Sequence, residues 1–323
     1  MTNDLLYLSA SDVTAVLPEP SELLDLLETM FRHKAEGDAE LPPKMGVHPK
    51  SNSFIHAMPA SVPPMSTAGI KWVSAYPGNA ALSLPQVNGL IILNDLNTGL
   101  PVAVLDGSVI TSARTAAASA LAARYLARPE SESLGILGCG IQGRSHVRAF
   151  ATEFSLARVM AYDVSQDAIR RFATEMADQY GVEVCAAPSP QAAVESCDLV
   201  VTSGPITNPP HASIQPGWLQ PGGFAVSIDY GSYWHPQALT EMDVLCTDDA
   251  AQFASHQAHG YLKGVPAIDL ELADLVAGTK SGRSDMSERT FACNLGIALE
   301  DVVVAKAVVD RARLRRIGTS LPR

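Results

Sequence analysis

The rhythm of apolar and polar positions changes once along this chain, near residue 130, and the change predicts two kinds of architecture. Before it, helix and strand mix. Ser11-Asp12 can cap a short helix, and Pro20-Ser21 opens a longer one in which Leu23, Leu24, Leu27, Met30 and Phe31 recur at helical spacing. Glycine and proline then punctuate short apolar runs, which predict strands around 54–58, 69–74 and 89–94. Asn97-Thr98-Gly99 separates Leu90-Ile91-Ile92-Leu93 from Pro101-Val102-Ala103-Val104-Leu105, a hairpin signal. An alanine-rich helix is expected over 112–127, and Pro129-Glu130-Ser131 is the expected domain boundary.

From Leu134 onward, apolar strands at 134–137, 158–162, 182–186, 198–202, 224–228 and 244–247 are expected, with helices near 141–152, 166–180 and 190–196 between the early ones. That alternation predicts a Rossmann-type doubly wound parallel sheet. A last long helix is expected from Phe291 to about Arg316, with Leu295, Leu299, Val302, Val303 and Ala307 on its apolar face, returning to the first domain. The fold expected is therefore α/β, a doubly wound sheet over 129–291 plus a smaller α+β domain built from 1–128 and about 292–323.

Composition narrows the function classes. A chain of 323 residues is long for one hydrophobic core, and 47% hydrophobic with 18% charged residues is ordinary for a globular protein. The formal net charge of -11 disfavours non-specific binding to nucleic acid or anionic membranes, and neither is expected as a partner. No run approaches the roughly 18 apolar residues of a membrane helix. The start, Met1-Thr2-Asn3-Asp4, lacks a basic region followed by an apolar run. Cysteines 139, 185, 197, 246 and 293 are odd in number and never spaced CxxC, which reads as reduced thiols in a cytoplasmic protein. The histidines form no HxH or HExxH pattern, so no metal is expected.

The chemistry begins at Gly138-Cys139-Gly140-Ile141-Gln142-Gly143, which follows a strand and opens a helix. Gly138 suits the tight turn, Gly140 lets the backbone approach a pyrophosphate, and Gly143 allows close helix–strand packing. The amides of Ile141 and Gln142 would face phosphate from the helix N-terminus. Asp163, at the end of the second strand, would accept hydrogen bonds from a ribose and repel a 2′-phosphate, so NAD(H) is preferred over NADP(H). Thr202 and Ser203 end the fourth strand, where such sheets place groups beside the nucleotide. Cys139 reads as a small filler rather than a redox sensor.

The chain also resembles the ornithine cyclodeaminase/mu-crystallin family across nearly its whole length. The matching pieces are Pro42-Pro43-Lys44, Gly69-Ile70-Lys71, Asn94-Asp95-Leu96-Asn97-Thr98-Gly99-Leu100-Pro101 and Thr111-Ser112-Ala113-Arg114-Thr115-Ala116-Ala117, followed by the glycine loop, Asp198-Leu199-Val200-Val201-Thr202 and Gly296-Ile297-Ala298-Leu299-Glu300-Asp301. The resemblance implies homodimers joined through the first, substrate-binding domain, and NAD(P)(H)-dependent conversion of imines and amino acids. It puts a catalytic lysine on Lys71 and a carboxylate-gripping arginine on Arg114, at the start of the alanine-rich helix; Thr115 beside it is a further candidate cofactor contact. Two departures matter. Lys44 stands where cyclodeaminases often have arginine, and Ser227-Ile228-Asp229-Tyr230-Gly231 lacks their aspartate followed by Pro-Gly-Lys. Asp229 is the nearest carboxylate and becomes the candidate proton donor.

These departures favour reduction of a small α-imino acid over ornithine chemistry. His48 and His56, beside Lys44, are read as further cations for a second carboxylate, which points to iminosuccinate and L-aspartate, as in the family's iminosuccinate-reductase branch. The alternatives are ornithine cyclodeamination with bound NAD, another imine reductase or alanine dehydrogenase, and a non-catalytic binding protein like mu-crystallin.

Overall fold

The computed structural model describes residues 4–322, which divide into two units. One runs to Arg114 and takes in the chain again from Ile297; the other is Thr115–Gly296. Among the described residues no helix is long and apolar enough to cross a membrane.

In the first unit the strands are β1 (Leu5–Leu8), β2 (Met45–Lys50), β3 (Ser53–Val62), β4 (Thr67–Ala75), β5 (Val87–Asn94), β6 (Pro101–Asp106) and, from the far end of the chain, β15 (Thr319–Leu321). Among the described residues they form a seven-stranded sheet in the order β15-β1-β6-β5-β4-β3-β2. Only the β1–β6 pairing is parallel. The hairpin between β5 and β6 forms where the Asn-Thr-Gly signal lies: Asp95 accepts from the amides of Asn97 and Thr98, and Gly99 adopts φ +70.

Because side chains alternate along a strand, register decides what each face carries. His56, Met58, Lys71, Val73, Ile91, Leu93, Ala103 and Leu105 share one buried face. Helix α10 (Ala298–Arg315) packs against β3, β4 and β5. The opposite face leaves Trp72 51% and Leu90 46% exposed, directly across from one another, with Met45 and Val47 of β2 exposed as well.

Local chemistry explains the helices. Helix α1 (Ala10–Val16) is capped by Ser9, with Asp12 completing a reciprocal capping box, so the cap lies before the Ser11 expected. Helix α2 (Pro20–Glu36) opens on proline and ends on Gly37 in the left-handed region, burying the five apolar residues named above. Helix α3 (Gly107–Leu126) begins at Gly107 rather than Ser112, because the Asp106 carboxylate accepts from the amides of Ser108 and Val109. The division between the units falls within α3, after Arg114.

The second unit alternates as expected: β7 (Ser133–Leu137), α4 (Ile141–Glu153), β8 (Arg158–Tyr162), α5 (Gln166–Tyr180), β9 (Glu183–Ala186), α6 (Pro190–Glu195), β10 (Leu199–Thr202), β11 (Phe224–Ser227), α7 (Pro236–Leu239), β12 (Val244–Thr247), α8 (Ala250–Ala258), β13 (Leu270–Glu271), α9 (Leu272–Ala277) and β14 (Thr290–Cys293). Among the described residues its sheet has eight strands, all parallel, in the order β13-β12-β14-β11-β10-β7-β8-β9. One expectation is corrected here. Phe291 does not begin the last helix; it lies in β14, buried between β11 and β12, and α10 starts only at Ala298. The chain breaks between them at Gly296, φ +72, whose amide donates to Asp248 at 2.6 Å.

Candidate functional site

In the first unit the expected basic residues meet two acids. Lys71 points from β4 into the buried face, 1% exposed, with Nζ 2.6 Å from Asp301 Oδ2 and 3.4 Å from the Thr111 hydroxyl. Arg114 donates from Nε to Asp301 Oδ1 at 2.9 Å and from Nη1 to Glu300 Oε2 at 2.8 Å. Asp301 therefore joins both cations, one through each oxygen. Glu300 and Asp301 occupy the first turn of α10, where the helix dipole favours negative charge. Arg114 lies in the interior of α3, not at its start.

Burial governs the proton affinities. Desolvation, then Arg114, lower the Lys71 pKa to about 7, against the upward pull of Asp301. Burial also opposes the charge of Arg114, but Asp301 and Glu300 outweigh it and hold the guanidinium protonated. His56 is stacked on Phe54 at 4.1 Å between ring centroids, with His48 6.0 Å away on exposed β2. Burial first, then Lys44, His48 and Lys71, lower the His56 pKa to about 4. His56 is thus neutral at neutral pH, which corrects its expected role as a cation. Lys44 is half-buried and contributes positive potential at both His56 and Lys71.

The second unit carries the glycine loop. Gly138 has φ +110, and a β-carbon there would lie 2.9 Å from the Ser203 carbonyl and hydroxyl oxygens. A β-carbon on Gly143 would come within 2.3 Å of the Gly138 carbonyl oxygen. On Gly140 it would meet nothing within 4 Å. The first and third glycines are therefore required by the fold, while the middle one faces open space at the start of α4. Gly140 caps that helix without a side-chain hydrogen bond, and the first amides of a helix have no intrahelical acceptor. An open cradle backed by the amides of Ile141, Gln142 and Gly143 fits a dinucleotide pyrophosphate. Asp163 accepts from the amides of Cys139 and Ser165, both at 2.9 Å, which fixes its carboxylate beside the loop.

Other expected cofactor residues face protein. The Ser203 hydroxyl donates to the Gly138 carbonyl at 3.1 Å, and its amide donates to Leu137. Thr202 is fully buried and accepts from Trp234 Nε1 at 3.4 Å. Its hydroxyl is turned inward, between Trp234 and Asp229. Thr115 is buried on α3, where its carbonyl accepts from Ser119, and Ser119 reaches His146 Nε2 at 3.0 Å on α4. Burial lifts the Cys139 pKa to about 12, followed by the effect of Asp163, so the thiol stays protonated as a filler.

Asp229 is fully buried just beyond the C-terminal end of β11. Its Oδ1 accepts from Ser227 Oγ at 2.7 Å and the Ser232 amide at 3.2 Å. Burial raises its pKa to about 7 against the hydrogen bonds of Ser227, Thr202, Ser232 and Gly204.

Sequence reasoning missed Glu300 and Asp301 as partners of the basic pair, although both stand in a segment it singled out. Arg144 was missed as well. It donates to the Cys139 carbonyl at 2.5 Å and the Gly140 carbonyl at 3.1 Å and pairs with Glu175, bracing the loop from behind. Among the described residues, potential metal donors gather at His33, Glu36 and Asp38 near the end of α2, where His33 Nδ1 lies 3.3 Å from Glu36 Oε2.

Together these observations define a two-unit α/β protein with a dinucleotide loop on a parallel sheet and a buried carboxylate–lysine–arginine cluster under a mostly antiparallel one. The chain belongs to the ornithine cyclodeaminase/mu-crystallin family, whose model matches residues 5–315. It is 33% identical over 318 residues to the nodulation efficiency protein NfeD of Rhizobium meliloti, covering 97% of each chain. It is similar to the Δ1-pyrroline-2-carboxylate reductase of Thermococcus litoralis, solved with NADH and L-proline, at 29% identity and TM-score 0.86, covering 98% of this chain and 99% of that one. An archaeal alanine dehydrogenase dimer with bound NAD is 31% identical with TM-score 0.85, again covering 98% and 99%.

Proposed function

We propose that this protein reduces a small α-imino acid to the amino acid, with iminosuccinate, giving aspartate, as the specific substrate. The protein is an NAD-dependent oxidoreductase acting on CH–NH2 or C=N groups, of the imine reductase and amino-acid dehydrogenase type, and its cofactor is NAD(H). The observation that carries the substrate reading is the cluster of Lys71, Arg114 and Asp301, a preformed receptor for an α-carboxylate. A guanidinium has more donors than its two acids use, and those acids fix its plane before substrate arrives. Lys71 adds its charge to the same anion and polarises the conjugated C=N bond. Asp229, half protonated near neutrality, is the proposed proton source that keeps the imine nitrogen cationic.

Gly138, Gly140, Ile141, Gln142 and Gly143 would hold the pyrophosphate, and Asp163 the adenosine ribose. Bound NADH supplies the hydride. The second carboxylate of iminosuccinate would be read by Lys44, with His48 and neutral His56 as hydrogen-bonding neighbours. The positive potential that helps strip the proton from His56 is also a potential that attracts an anion. We also infer a homodimer, paired through the exposed apolar face of the first unit's sheet.

The experiment is NADH absorbance with ammonia plus oxaloacetate, pyruvate or glyoxylate, and with pyrroline-2-carboxylate alone. Consumption with oxaloacetate and ammonia, forming aspartate, is expected. Lys44→Ala should lower kcat/KM for that dicarboxylic imine by about tenfold, the ~1.4 kcal/mol of one charge-assisted contact, and leave the pyruvate imine nearly unchanged. Absence of consumption with every imine would overturn the reductase reading. Ammonia release from ornithine without net NADH change would replace it with cyclodeamination.

A further inference from the structure

Asp301 holds a position that no other residue of the cluster shares. Its two carboxylate oxygens are divided between the two cations, Oδ2 with Lys71 Nζ at 2.6 Å and Oδ1 with Arg114 Nε at 2.9 Å, and the residue is fully buried. A planar carboxylate held at both ends fixes the separation and mutual orientation of those cations. Resting on the imine-reductase reading of this site, we propose that Asp301 is a positioning residue that keeps Lys71 able to take up a proton from solvent when the substrate's α-carboxylate enters.

The charges that face Lys71 carry the argument. From α3 come Arg114 and the neutral Thr111; from α10, Asp301 and, through Arg114, Glu300; from the strand side, Lys44, with neutral His56 backed by His48. With Lys71 neutral, Arg114 and Lys44 are balanced by Asp301 and Glu300, and an entering carboxylate is a surplus negative charge in a buried place. A proton on Lys71 removes the surplus. The site then binds its anion and its proton together, and affinity for the imino acid falls as pH rises past the point where Lys71 gives its proton up. Asp301 sets that point. Without it, Lys71 faces Arg114 and Lys44 with no carboxylate on its own nitrogen, and the amine gives its proton up at lower pH.

The test compares wild type with Asp301→Asn, Asp301→Ser as a smaller neutral variant, and Asp301→Glu, which keeps the charge. Lysine 13Cε NMR follows protonation directly: the chain has only seven lysines, and Lys71 is assigned by the resonance lost in Lys71→Met. The neutral variants should weaken proton binding at Lys71 by about tenfold or more, about one pH unit, as expected on losing an opposite charge in contact. Asp301→Glu should restore most of it. In NADH-coupled reduction, the high-pH fall in kcat/KM should move to lower pH by the same amount, mostly through KM. A Lys71 midpoint equal in wild type and both neutral variants overturns the proposal. So does activity lowered equally at every pH. If the lysine titration moves as expected but wild type reduces no imine, the Asp301 assignment stands and the imine-reductase reading falls.

Discussion

Asp229 accepts hydrogen bonds from a hydroxyl and an amide yet binds its proton near neutrality, because burial outweighs them. Its pKa in the fold, about 7, stands above the ordinary 3.8. The folded protein therefore holds this proton more tightly than the unfolded chain between those values. The associated stability is complete below about pH 4 and is lost as pH rises through 7. Asp229→Asn should flatten this part of the curve. Thermal midpoints of wild type should decline from pH 5 to pH 8 relative to the variant, at roughly 2–4 °C per ~1 kcal/mol; parallel curves would show that Asp229 is ionised throughout. His56 shifts the opposite way for the same physical reason, since burial always disfavours the charged form. That inversion was not legible in the sequence, where a histidine beside Lys44 reads as one more cation. Lys71 and Arg114 stood out only through the resemblance. Glu300 and Asp301 were hidden because they flank the apolar positions of a helix read for its core-facing stripe, and both acids are buried with it.

At the scale of elements, the glycine loop separates two requirements that a motif merges. Gly143 is needed by packing and Gly140 by whatever occupies the open space in front of it. Gly140→Ala should leave the stability within about 1 kcal/mol of wild type while raising the Kd for NADH about tenfold or more. Gly143→Ala should raise the Kd and also destabilise by roughly 1–3 kcal/mol, since its β-carbon meets backbone that cannot step aside. Calorimetry and fluorescence titration of both variants check this, and equal loss of stability would refute the separation. The strands and helices of the second unit were legible because apolar runs there alternate regularly with helical periods. Strand β14 was not: Thr290-Phe291-Ala292-Cys293 is short and buried on every side, so it carries no period, and it adjoined the long helical run of α10. Strand β1 is only four residues long, and β2, exposed along its whole length, offers no alternation to read.

At the scale of the whole molecule, the chain carries its proposed chemistry on two units, and the first leaves an apolar sheet face uncovered within the single chain. Trp72 and Leu90 face each other on it, flanked by Met45 and Val47. An exposed apolar patch of this kind marks a contact surface, which supports the homodimer proposed above. Trp72→Glu with Leu90→Glu should convert a dimer to a monomer in sedimentation while the NADH-binding loop stays intact; an unchanged sedimentation coefficient would place the contact elsewhere. The order of residues along the chain also bears on how the protein comes into being. Lys71 and Arg114 leave the ribosome long before Glu300 and Asp301, with the whole second unit synthesised in between. Until α10 arrives, Lys71 on the sheet and Arg114 on α3 lack their counter-charges, and the sheet has an uncovered apolar face where that helix will pack. The first unit begins synthesis first and is completed last, and the nascent chain depends on the early residues staying soluble while they wait.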